Sequence, residues 1–194
     1  MTRFFVKPED MQPDFMVLTG ENAAHAKVLR LKSGEKVLVC DGQGREALCT
    51  VSDVSADQYS LVVNDTTLSA SEAAVQVSVY MAFSKGDKLE HVIQKATELG
   101  ASEIVAFPTS RCVSRPDDKS LSKKLERWQK IAASAAEQSG RGVIPQVLVV
   151  NTYKDALARA AQADLPILFY ENEQATTLRM ALDEKPFQIG RAHV

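Results

Sequence analysis

The hydrophobic period of this chain changes near residue 75, and that change limits the folds open to it. Up to residue 66 the apolar residues fall in short runs rich in Val, Phe, Leu and Tyr, separated by turn residues. Such runs predict strands at 3–6, 15–18, 36–41, 46–52 and 58–64. Asp41-Gly42-Gln43-Gly44 reads as a hairpin turn, because glycine tolerates positive φ. A short helix is expected over 21–30, with Ala24, Val28 and Leu31 on one face. Short strands round one small helix predict a compact β-barrel.

Residues 66–74 are small and polar and read as a linker. Beyond them strands alternate with helices. Strands are predicted at 75–83, 103–107, 147–150 and 166–170, and helices at 85–99, 119–138 and 152–161. Leu89, Val92, Ile93, Ala96 and Leu99 recur at helical spacing, with Gly100 as the stop. Leu121, Leu125, Trp128, Ala132 and Ala135 do the same on the longer helix, with Gly140 beyond its end. The alternation predicts an α/β domain with a mostly parallel, helix-covered sheet.

Charge follows the same division. The net charge is −2, which argues against a general nucleic-acid binder. Residues 1–74 hold 7 Lys/Arg against 11 Asp/Glu, whereas residues 75–145 hold 11 against 8. The basic excess therefore lies in the second region. The three cysteines, Cys40, Cys49 and Cys112, are too widely spaced for a disulfide framework or a metal cluster. No apolar run reaches membrane-spanning length, and the start lacks a signal-peptide pattern. A soluble intracellular protein is expected, with no metal and no membrane.

Polar residues gather where strands end. Lys85-Gly86-Asp87 follows the first strand of the second region, and Ser110-Arg111 follows the second. Ligands of open α/β sheets bind at such carboxyl ends. A guanidinium and a hydroxyl suit phosphate oxygens. The outward face of the helix after Gly86 carries Lys88, His91, Lys95 and Glu98. Glu137-Gln138-Ser139-Gly140-Arg141 crowds a carboxylate, an amide and an arginine into one helix end, where Arg141 is also favourable with the dipole. In the first region Lys27, Arg30 and Lys32 form a basic patch that Arg3 could join. His25 is more often structural than catalytic when alone. No dinucleotide fingerprint, P-loop or nucleophile elbow occurs.

The ordered set of these motifs resembles a known family. Arg3-Phe4-Phe5-Val6, His25 with Leu29-Arg30, Asp41-Gly42, the run from Lys85 to Gly100, Ser110-Arg111, the run from Glu126 to Ile131 and the run from Glu137 to Arg141 are together similar to bacterial 16S ribosomal RNA uridine-N3 methyltransferases (RsmE, of the SPOUT class). The resemblance implies a PUA-like RNA-binding barrel over 1–70 and a knotted methyltransferase domain over 75–188. It implies S-adenosylmethionine as cofactor, 16S ribosomal RNA or the small subunit as partner, a homodimer and a cytoplasmic setting. Arg141 and Glu137 are the expected catalytic residues. Arg3, His25, Arg30, Lys32, Lys85, Lys95, Ser110 and Arg111 are the expected RNA contacts. Tyr170 and Glu171 are expected near the cofactor.

The sequence departs from that pattern late. The family's Gly-Pro-Glu-Gly-Gly loop and its later Leu-Gly-x-Arg-Ile-Leu-Arg segment do not occur. Residues 189–194 fit no family segment and match what a sequencing adapter encodes, so a non-native tail on an incomplete, knotless domain is expected. A chain ending there is expected to bind S-adenosylmethionine weakly and to be inactive. The alternatives are a non-catalytic RNA-binding module and a methyltransferase for another RNA.

Overall fold

The computed structural model describes residues 1–112 and 116–183, with only the backbone of Asp118. The tail expected at 189–194 lies outside the described residues. The strands are β1 (Arg3–Phe5), β2 (Phe15–Leu18), β3 (Lys36–Cys40), β4 (Arg45–Val54), β5 (Tyr59–Leu68), β6 (Ser78–Ala82), β7 (Glu103–Phe107) and β8 (Gln146–Val149). The helices are α1 (Gly20–Val28), α2 (Lys88–Glu98), α3 (Asp118–Ser139), α4 (Tyr153–Ala160) and α5 (Leu178–Asp183).

The first five strands form one sheet in the order β1-β3-β4-β5-β2. Alternate residues of β4 (Ala47, Cys49 and Val51) point inward, as the period of a strand requires. They meet Phe4, Leu18, Val37, Val39, Tyr59 and Leu61, together with Ala23 and Ala26 of α1. The sheet thus curls into a half-barrel round one core, with β1 and β2 as its edges. The hairpin at 41–44 forms because the Asp41 carboxylate accepts the N–H groups of Gln43 (2.8 Å) and Arg45 (3.0 Å). Gly42 and Gly44 supply the positive φ that this turn needs.

The second sheet is parallel, in the order β6-β7-β8. Ile104 and Ala106 of β7 pack with Leu89 and Ile93 of α2, with Trp128 and Ala132 of α3, and with Val147 of β8. The alternate residue Phe107 instead meets the ring of Tyr153 on α4, at 5.7 Å between centroids. Helices therefore cover both faces, which is why β7 reads as a continuous apolar run. Asp117 caps α3 by accepting the Ser120 N–H at 2.8 Å, and Gly140 ends it in the left-handed conformation.

Two local expectations change. The stretch 166–170 joins no strand ladder, and Leu168, Phe169 and Tyr170 are 70%, 77% and 62% exposed. An apolar run becomes a strand only where another strand offers its backbone, and this one meets neither β6 nor β8. The linker expected at 66–74 is shorter, because β5 stays paired with β4 through Leu68.

Candidate functional site

The carboxyl ends of β6 and β7 bring two polar loops together. The Phe83 N–H donates to the Phe107 carbonyl (2.9 Å), and the Cys112 thiol donates to the Phe83 carbonyl (3.2 Å). Gly86 turns the first loop at φ +74°, and the added Cβ of another residue would meet nothing. Its requirement is therefore the backbone angle rather than space. Lys85, Ser110 and Arg111 are exposed on these loops, and neither cation enters an ion pair among the described residues. Behind them lies a cleft of about 30 Å³ lined by Ser84, Gly86, Glu90, Pro116, Lys124 and Trp128. The Ser84 hydroxyl is buried there without a hydrogen-bond partner among the described residues. Lys124 was not singled out from sequence, although the pair Lys123-Lys124 in the basic stretch was a signal for it.

A second cluster forms where the half-barrel meets the parallel sheet. Arg141 is 5% exposed. Its Nε and Nη2 donate to one oxygen of Glu72, at 3.2 and 2.6 Å. Its Nη1 donates to the carbonyls of Thr97 (3.1 Å) and Ala101 (2.6 Å) at the end of α2. The other Glu72 oxygen accepts the N–H groups of Gly142 (2.8 Å) and Val143 (3.0 Å). Burial alone would push the Glu72 carboxyl up, but the Arg141 guanidinium and these two amides hold it below the ordinary range. On the barrel side Arg3 pairs with Glu46 and donates to the Arg141 carbonyl at 3.1 Å and to the Cys40 sulfur at 2.9 Å. Burial pushes the Cys40 thiol up to about 11.

The expected residues thus sort into groups. Lys85, Ser110 and Arg111 share the strand-end loops. Arg30 and Lys32 are exposed on the half-barrel, with Arg30 at φ +57°. Arg3 and Arg141 meet at the domain junction rather than at an open surface. There the Arg141 guanidinium is held by Glu72 and two carbonyls, and a catalytic role would require it to leave Glu72. His25 and Glu137 face each other across the same junction at 3.1 Å, so each occupies the other. His25 also sits edge-on to Phe4 at 5.6 Å. Lys95 turns to Glu98 at 2.7 Å. Tyr170 and Glu171 are exposed and do not line the cleft beside Gly86. Glu72 and Glu46 were missed from sequence. Glu72 had a signal, being the one charged residue between Asp65 and Lys85.

Among the described residues no group of three or more His, Cys, Asp or Glu side chains could hold a metal, and no helix is long and apolar enough to cross a membrane.

Residues 71–190 match the model of an RNA methyltransferase domain, and residues 18–64 match that of an RNA methyltransferase PUA domain. The chain is 39% identical to ribosomal RNA small subunit methyltransferase E of Bacillus subtilis, over 88% of this chain and 68% of that protein. It is 30% identical to the protein of the same name from Mesomycoplasma hyopneumoniae, over 88% and 72% of the two chains. Among solved structures it resembles the Neisseria gonorrhoeae enzyme of that name bound to S-adenosyl methionine, with TM-score 0.74 and 30% identity over 81% of this chain and 65% of that one. It is also similar to a Legionella pneumophila methyltransferase in complex with SAM, with TM-score 0.73 and 30% identity over 85% and 69%.

Proposed function

Because the chain belongs to the RNA methyltransferase family, with a PUA domain ahead of its methyltransferase domain, we propose that it methylates uracil N3 in small-subunit ribosomal RNA. The observation that carries the reading is the pair of strand-end loops. They place Lys85, Ser110 and Arg111 together at the carboxyl edge of a parallel sheet, where phosphates are readily held. Arg30 and Lys32 extend the RNA surface onto the half-barrel. Uracil N3 lies on the pairing edge, so the base must be taken unpaired or flipped.

The methyl donor is S-adenosylmethionine, the ligand of the solved Neisseria relative. The cleft beside Gly86 is too small for it. The cleft at the β6 end is about 30 Å³, whereas small-molecule sites enclose a few hundred cubic ångströms. Tyr170 and Glu171, expected beside the donor, stand on an exposed, unpaired stretch. What this chain's residues do is bind and orient RNA. We read residues 1–70 as the docking domain, 75–188 as the methyltransferase domain, and the working form as a cytoplasmic homodimer.

Equilibrium binding of small-subunit ribosomal RNA against salt tests the reading. Lys85→Glu and Arg111→Glu should each weaken binding and flatten the salt slope by about 0.7–0.9 per lost phosphate contact. Unchanged affinity and slope in both variants would remove the strand-end loops from the RNA surface.

A further inference from the structure

We propose that Glu72 is a positioning residue: by holding the turn Arg141-Gly142-Val143, it fixes the half-barrel against the parallel sheet so that one RNA can engage both. The proposal rests on the RNA-methylating reading above and adds to it a residue outside the motifs that carry the family resemblance.

Four separate parts of the chain converge on the segment that joins α3 to β8. Glu72 comes from the connector between the two sheets, and both of its oxygens accept two donors from residues 141–143. The end of α2 supplies the carbonyls of Thr97 and Ala101 to Arg141. Arg3 of β1 donates to the Arg141 carbonyl. The hairpin between β3 and β4 closes the set, because Gly44 N–H donates to the Gly142 carbonyl (3.3 Å) and Ile144 N–H to the Gly42 carbonyl (3.1 Å). The junction is filled at Gly142: a Cβ there would lie 2.4 Å from the Ser69 Cβ and 2.8 Å from a Glu46 oxygen.

The other ionic links between the domains are more open. His25–Glu137 is 42% and 30% exposed in its side chains, and Lys130–Glu21 is 75% and 92% exposed. Exposed pairs contribute little. The Glu72–Arg141 pair, at 21% and 6%, is the buried one. It is therefore what keeps Arg30 and Lys32 of the half-barrel in fixed register with Lys85 and Arg111 of the loops. A surface already in register spares the RNA the cost of ordering it on binding. Register governs how well RNA is captured and leaves the chemistry within the second domain alone, so its loss should appear in KM for RNA and not in kcat.

Glu72→Gln keeps the side chain's shape and removes the charge that Arg141 needs. Hydrogen exchange of the variant should quicken by about tenfold or more in peptides covering 42–46 and 142–145, with β5 and β7 unchanged, as a local opening predicts. With ribosomal RNA and S-adenosylmethionine, KM for RNA should rise about tenfold while kcat stays within about twofold. Glu72→Asp, which keeps the charge one methylene short, should fall between the two and covers the case in which Glu72→Gln does not fold. Unchanged exchange at 42–46, equal quickening in both cores, or a fall in kcat at constant KM would overturn the proposal. If the wild-type chain transfers no methyl group to ribosomal RNA, the functional reading fails, and the exchange experiment still judges Glu72 by itself.

Discussion

Replacing Arg141 by Met separates a structural clamp from a catalytic arginine. Methionine fills much of the same space and cannot donate. The substitution leaves the Ala101 carbonyl without its Arg141 donor, the Thr97 carbonyl with its Gly100 N–H donor, and the Glu72 carboxylate, 21% exposed, without its counter-charge. Removing one partner of a buried pair costs about 3–5 kcal/mol. Glu72 keeps the Gly142 and Val143 amides, which places the expected loss near the lower end, about 3 kcal/mol. For a chain of 194 residues that corresponds to a fall in Tm of roughly 6–12 °C. Denaturant unfolding followed by the fluorescence of Trp128, the single tryptophan and a residue of the second core, would measure it. Combined with Glu72→Gln, the two losses should be less than additive, with coupling of roughly 1–3 kcal/mol. The pH dependence carries a sign. The Glu72 carboxyl is held below its ordinary value of 4.5, so its contribution is complete above that pH and is lost as pH falls through the lower, folded value. Arg141→Met removes the largest cause of the lowering and should shrink this acid loss. A loss below about 1 kcal/mol, or strict additivity, would refute the clamp.

Two further outcomes follow from the same geometry. Gly142→Ala should destabilise the junction by about 1–3 kcal/mol through overpacking. Adding Ser69→Gly, which removes the side chain that the new Cβ meets at 2.4 Å, should recover part of that loss in denaturant unfolding; no recovery would point to a different source. Thiol titration of the native chain near neutral pH should find Cys112 reactive and Cys40 and Cys49 protected. Both of the latter are buried, with thiols pushed up to about 11 by that burial. Rapid modification of all three would contradict the packing of the half-barrel core.

Local patterns carried most of the elements into view, because their causes are local. The period-2 run of β4, the helical spacing of Leu89 and Ile93, and the Gly140 stop beyond α3 each arise within a few residues. The stretch 166–170 has the composition of a strand and still lacks one, since composition does not supply a neighbouring backbone. The strand-end loops were equally legible, as the topology of alternating strands and helices puts them on one edge.

The junction was not legible, and the reason is distance along the chain. Arg3 reaches 43 residues to Glu46 and 138 to the Arg141 carbonyl, and Arg141 reaches 69 to Glu72. No periodicity spans such separations, so the sequence shows no internal partner for Arg3, expected to touch RNA, or for Arg141, expected to be catalytic. A guanidinium with four donor contacts inside the protein has little left to offer a substrate, whereas Lys85 and Arg111, outside every ion pair of the described residues, have all of theirs. Motif membership alone could not separate these two kinds of basic residue. Their partners do, and they divide the basic motif residues into those bonded within the junction and those left exposed on the strand-end loops.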